Sequence, residues 1–342
     1  MKIVKRVIIA TILLVVFIAL MFFGNLARLF ILEKNDEIGL KRIDVKIAGI
    51  KDGYIPQGLT FSFKNKAVIQ TSYNKKGQVS KLYLGNIITG KSIKELKLKN
   101  IDDSEIKGHV GGVTTDDDKL WITSDNKVYR YNLVDIINTT DDFIKPEKEF
   151  DLPIKGDFCT YTENAIWIGE YSKKAGAYLL KYPITPIEAP APQEGEEAPE
   201  TTETTVEADA KHIDFNKPES IFSLPKNAQG IVPIENKEEN KVEFYCDESN
   251  TYLSESELVK YVVDLNNKEE VDFKGDKYSY YPYEKAEIIK KVNLPPMAKE
   301  MFVSDIQGAK SLFILFESNS DSYKLALPKM EYVMKLKIEK IK

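Results

Sequence analysis

The stretch IKELKLKNIDDSEIKGHVGGVTT, residues 93–115, holds an amphipathic strand pattern, a polar linker closed by Gly108, and then an apolar run with two adjacent glycines. The same phrase recurs as RIDVKIAGIKDGYIPQGLTFS (42–62), KEFDLPIKGDFCTYT (148–162), SIFSLPKNAQGIVPI (220–234) and IIKKVNLPPMAKEMFVS (288–304). Five copies of one phrase mark a repeat architecture. Each copy is followed by a second β-type run: KAVIQTSY, KLWITSD, AIWIGEY, KVEFYCDE and SLFILFES. A third comes next: SKLYLGNI, KVYRYNL, YLLKYPI, ELVKYVVDL and YVMKLKI. These runs are rich in β-branched and aromatic residues and bounded by turn formers, as strands are.

Aligning Gly58, Gly112, Phe158, Gly230 and Glu300 gives spacings of 54, 46, 72 and 70 residues. The two long spacings carry polar inserts at 187–212 and 265–286, and without them the period falls to the 40s expected of a four-stranded propeller blade. The first phrase opens on a fourth-type strand and the chain ends on a third-type strand. The N-terminal strand is therefore predicted to complete the last blade and close the ring, which removes its open edges. The expected fold is all-β, a five-bladed β-propeller of four-stranded antiparallel blades over residues 43–342.

The blade openings YIPQGLTFS, GHVGGVTT and AQGIVPI resemble those of secreted or membrane-anchored bacterial β-propellers in the broad NHL, SMP-30 and YncE-like group. The resemblance spans residues 41–342 and implies architecture. No complete ligand set of the SMP-30 lactonase type is present, so it implies no calcium chemistry.

The first 32 residues stand apart. Lys2, Lys5 and Arg6 precede the uncharged run VIIATILLVVFIALMFFG, Val7–Gly24. That is near the length a helix needs to cross a hydrocarbon core and exceeds a usual secretory h-region. No small-residue cleavage site follows it, which favours an uncleaved signal anchor over a cleaved signal peptide. The positive-inside rule then puts the N-terminus in the cytoplasm and the rest outside. The linker 33–42 reaches at most about 35 Å when extended.

The net charge of −5 is carried by one segment: residues 188–209 hold seven Glu and Asp209 with no Lys or Arg. The remaining body is nearly neutral, without the basic field of a nucleic-acid binder. The insert, EAPAPQEGEEAPETTETTVEADA, lacks the apolar content to fold and is expected to be a disordered loop. The second insert holds YSYYPY, expected to pack under the propeller. Cys159 and Cys246 match no zinc spacing; two buried thiols is the favoured reading and a disulfide the alternative.

Strand order places the linkers before the inner strands and the second-to-third hairpins on one rim. That rim receives Gln57, His109, Asp157, Gln229 and Lys299 from the first set, with Glu300 beside them on an inner strand. It receives Tyr73, Asp125, Glu170, Asp247 and Glu317 from the second set. These residues are the candidate ligand-binding funnel. Two functions follow: a binding or interaction module for a cell-envelope glycan, peptide or surface protein, or a glycosidase-like hydrolase using two rim carboxylates. The inner strands carry few acids, which favours binding, and neither cofactor nor metal is expected. Asp116, Asp117 and Asp118 read as a solvated turn, and Trp121 and Trp167 as core between blades.

Overall fold

The computed structural model describes residues 2–34, 38–186, 211–306 and 309–341. Its strands form five four-stranded antiparallel blades around one axis, two of them extended by added strands, with one separate two-stranded pair. From the axis outward, blade 1 is Ile55–Ser62, Ala67–Tyr73, Lys81–Asn86 and Ser92–Leu98. Blade 2 is Val110–Thr115, Lys119–Ser124, Lys127–Asn132 and Lys148–Asp151. Blade 3 is Phe158–Thr162, Ala165–Gly169, Ala177–Pro183 and Ser220–Leu224. Blade 4 is Ala228–Asn236, Lys241–Glu248, Ser256–Asp264 and Glu287–Leu294. Blade 5 is Ala298–Ile306, Ala309–Phe316, Tyr332–Lys337 and, from the other end of the chain, Lys41–Lys46.

Closure is as the repeat predicts: Arg42 pairs with Met334 and Lys46 with Tyr332. The side chain of Gln70, in the second strand of blade 1, then staples the closing segment to its neighbour. It donates to the Lys46 carbonyl at 2.9 Å and accepts from the Ala48 N–H at 3.0 Å. Ring closure thus joins blade 5 to itself by backbone and to blade 1 by one buried amide.

Burial follows radial position. Inner strands are covered on both faces, so Ile55–Ser62 and Val110–Thr115 are buried throughout. The outer strand Ser92–Leu98 buries its final residues alternately, with Leu96 and Leu98 inward. The apolar core lies between blades. Trp121 packs in the cluster that holds Cys159 and Ile166, and Trp167 in the one that holds Phe222, Phe244 and Cys246. The two cysteines are buried free thiols in different interfaces.

Three features depart from the repeat. The 265–286 insert does not lie beneath the ring: its hairpin, Glu269–Phe273 and Asp276–Tyr281, adds to the outer edge of blade 3 by parallel pairing with Ser220–Leu224. Tyr281 stacks on Phe222 at 4.7 Å and Tyr283 meets Tyr261 at 5.0 Å, so the tyrosines cover an otherwise open strand edge. Phe143–Ile144 does the same for blade 1. A short helix, Leu133–Asn138, enters blade 2 where Asn132 caps the Val134 and Asp135 N–H groups.

The helix Lys2–Lys34 contains a segment, Lys5–Gly24, long and apolar enough to span a membrane. Residues 187–210, the bulk of the acidic insert, lie outside the described residues, as do 35–37 of the linker. At the base of the insert Thr185 and Pro186 pair with His212 and Lys211. The aspartate triplet is a turn tied to blade 1: Ser62 donates to Asp117 at 2.6 Å and Lys64 to Asp118 at 2.6 Å.

Candidate functional site

Four inner strands break register at the same level. Pro56 pairs with Ser72 and Gly58 with Thr71, leaving Gln57 as an extra residue. Gln229 and Lys299 are the extra residues of blades 4 and 5. In blade 2, Gly111 and Gly112 together face Thr123. Each is a β-bulge, which tightens the local twist; in blades 1, 4 and 5 it re-aims a side chain, whereas in blade 2 the extra length is two glycines. Blade 3 keeps its register from Phe158 onward, and Asp157 precedes it with its N–H on the Gly169 carbonyl at 2.9 Å.

The repeated bulge needs close approach at the axis. A Cβ on Gly112 would stand 2.2 Å from the Cys159 nitrogen, and one on Gly230 would stand 3.0 Å from the Glu300 Cα. Only glycine fits where adjacent inner strands come this near.

The bulges and adjoining loops bound a funnel of about 300 Å³ at one end of the axis. Of the residues expected there, Gln57, Tyr73, His109, Asp157, Gln229, Lys299 and Glu317 line it. Asp125 does not: blade 2 turns at Asp125 and Asn126 directly into Lys127, too short a hairpin to lean over the opening, and Asp125 is exposed. Glu170 is also outside the lining, because its Oε1 folds back to accept the Tyr178 N–H at 3.1 Å. In blade 4 the level of Glu317 is taken by Ser249. Asp247 pairs with Gly230, two residues further in, and is completely buried. Glu300 follows the bulged Lys299 and is likewise completely buried, beneath the funnel floor.

Lys155, Tyr171, Tyr252 and Tyr323 also line the funnel. Tyr252 and Tyr323 come from long second-to-third hairpins, and their aromatic content was the available signal. Lys155 and Tyr171 lie within two residues of Asp157 and Glu170, so a blade alignment misses them by a small offset.

The polar groups are mostly engaged. Gln57 Nε2 donates to Glu317 Oε1 at 2.6 Å. Lys155 Nζ meets Asp157 Oδ1 at 2.9 Å, and Asp157 Oδ2 accepts the Tyr171 N–H at 2.8 Å. Lys299 Nζ donates to Gln229 Oε1 at 2.8 Å. Burial pushes the Glu317 carboxyl up from its ordinary value, and burial with the nearby Glu317 charge pushes the Tyr73 hydroxyl up to about 12. Burial pushes the Asp247 and Glu300 carboxyls well up, against the pull of the Lys299 charge and of backbone N–H groups, Gly230 for Asp247 and Met301 and Cys159 for Glu300.

His109 lies edge-on to Tyr73, ring centroids 5.3 Å apart, with Nδ1 3.7 Å from Asp157 Oδ1, too far for a hydrogen bond. Burial, then the Lys299 and Lys155 charges, push its pKa down to about 3. Neutral His109 therefore contributes stability above the unfolded value near 6.5 that is lost as pH falls toward 3. The expected result is a His109 ring still in its neutral NMR signature at about pH 5, where an unperturbed imidazole is protonated. A titration centred near 6.5 would contradict the burial of this ring.

A larger groove, about 870 Å³, runs along the closure seam between Asp44–Asp52 and blade 1. Gln70 within it is held at both ends by the closing segment. Its walls come from the two blades at the seam, whereas all five blades converge on the funnel.

Together, the sheet order and the funnel define a five-bladed β-propeller with a polar axial opening. No protein-family model matches this sequence, and no curated protein matches it. Among solved structures the chain is similar to the glutaminyl cyclase of Myxococcus xanthus, at 8% identity and TM-score 0.43 over 87% of this chain and 97% of that one. It is similar to the WD40 β-propeller domain of Doa1, at 8% identity and TM-score 0.38 over 87% and 97%. It is also similar to a luciferin-regenerating enzyme, at 8% identity and TM-score 0.38 over 87% and 94%. The fold assignment rests on the pairing of this chain's own strands.

Proposed function

We propose that the protein is a membrane-anchored binding module whose propeller lies outside the cytoplasmic membrane and whose funnel holds a small polar ligand of the cell envelope. The observation that carries this reading is convergence: side chains from all five blades line one opening, three of them, Gln57, Gln229 and Lys299, set there by equivalent bulges. A volume of about 300 Å³ sits at the small end of ligand cavities. The apolar segment Lys5–Gly24 supplies the anchor, and the basic residues before it favour a cytoplasmic N-terminus.

A hydrolase would need two carboxylates free to act on a substrate. Those in the lining, Asp157 and Glu317, are both engaged by neighbouring donors, which supports binding over hydrolysis. The test is calorimetry on the full chain in detergent micelles against a panel of envelope sugars and short peptides. Saturable binding without turnover is expected, weakened about tenfold by Gln57→Ala, which removes a lining side chain and the donor that holds the Glu317 carboxylate in place. Turnover of any member that disappears in Asp157→Asn or Glu317→Gln would replace the binding reading with the hydrolase.

A further inference from the structure

We infer that the funnel takes a carboxylate-bearing ligand of about monosaccharide or dipeptide size, with the carboxylate seated on the Lys299 ammonium. This rests on the binding reading above and adds the chemical class of the ligand.

The asymmetry between acids and base in the site is the starting point. Lys299 is only 4% exposed, yet it lines the cavity, because the bulge turns it off the ladder and toward the axis. An ammonium has three N–H donors, and among the described residues Gln229 Oε1 is its one hydrogen-bond partner. Its other two donors have no hydrogen-bond partner among the described residues. The carboxylates at the same level are already engaged, Asp157 by Lys155 and the Tyr171 N–H, Glu317 by Gln57 and the Tyr323 hydroxyl.

The acids beneath give Nζ no hydrogen bond either. Asp247 and Glu300 are completely buried; burial pushes both carboxyls up, the Lys299 charge and neighbouring backbone N–H groups pull them back, and neither makes a hydrogen bond to Nζ. A nearly buried cation with unfilled donors is costly. An anion that brings two charge-assisted hydrogen bonds removes that cost. Tyr73, kept protonated, adds a further donor at the wall. The rings of Tyr252 and Tyr323, whose centroids are 6.2 Å apart, offer an apolar flank with polar tips.

The test uses matched pairs that differ in one charge: galacturonate against galactose, and N-acetyl-alanyl-alanine against its C-terminal amide. Each is titrated calorimetrically into the full chain in micelles. At least one acid is expected to bind about thirtyfold or more tightly than its neutral mate, as for loss of a partner from a buried charge pair. Lys299→Met should abolish the preference. Because that change replaces a buried charged side chain, Gln229→Glu is the paired variant: it places an internal carboxylate on Nζ, exchanging only the long Nε2 contact to the Ser249 carbonyl, and should erase the preference while urea unfolding stays cooperative. Sugar acid and peptide acid arms separate the two sources of the carboxylate. Equal binding of acid and neutral mate would overturn the carboxylate assignment and leave the funnel standing as a binding site. Absence of saturable binding by both acids, with a neutral member of the wider panel bound in a Gln57-dependent way, would do the same. Failure of every compound would overturn both.

Discussion

Trp167→Ala is expected to lower the unfolding free energy by about 4 kcal/mol, the largest effect of any single truncation proposed for this chain. The indole is fully buried between blades 3 and 4, with Phe222 at 5.5 Å and Phe244 at 5.9 Å between ring centroids, and the Lys181 ammonium 5.5 Å from its own ring. Phe244 in turn stacks on Tyr261 at 5.0 Å. Removing the indole leaves a void walled by sheet residues whose backbones are fixed in two ladders, so little collapse can fill it. Urea unfolding of the full chain in micelles reads the loss, and a change under about 1 kcal/mol would mean that the inter-blade packing is wrongly assigned.

Gly112→Ala tests the axis rather than the periphery, and about 3 kcal/mol is expected, at the upper end of the cost of overpacking. The added methyl would sit 2.2 Å from the Cys159 nitrogen and 2.8 Å from the Phe158 carbonyl carbon. Both are backbone atoms of the next blade's inner strand, so the clash cannot be relieved by a rotamer change. Blades 2 and 3 must separate where their strands approach the funnel. The substitution should therefore also expose Cys159, now a buried thiol, to a thiol reagent in the folded protein. Wild-type stability together with an unreactive Cys159 would rule out the close approach on which the funnel's floor depends.

Much of this architecture could be read before any coordinates. The five phrases locate the inner strands because each must be buried on both faces and so carries a short apolar run after a polar linker. Closure followed from chain order: a strand of the fourth kind at 42–46 has no partner until the last blade arrives, and it pairs with Tyr332–Lys337. The bulges were not legible, since an extra residue is defined only against the strand it faces. Gln57, Gln229 and Lys299 could be placed near the axis by alignment, but their equivalence as bulge residues could not. The same blindness put Asp247 at the rim, where Ser249 stands. Asp125 failed for another reason: its hairpin is two residues long, and reach over the opening depends on hairpin length rather than blade position. The docking of the tyrosine hairpin onto blade 3 depended on a long-range pairing between Ile221 and Tyr280 that no local pattern encodes. The Leu133–Asn138 helix has no counterpart in the other blades, so the repeat gives no signal for it; it starts where the third-strand run KVYRYNL ends.

The most direct measurement is a crystal structure of the full chain soaked with galacturonate or N-acetyl-alanyl-alanine, whichever binds more tightly. The predicted result is ligand density in the axial funnel, with carboxylate oxygens within about 3 Å of Lys299 Nζ and the Gln57–Glu317 contact undisturbed. Density confined to the seam groove beside Gln70, with the funnel unchanged, would contradict the account.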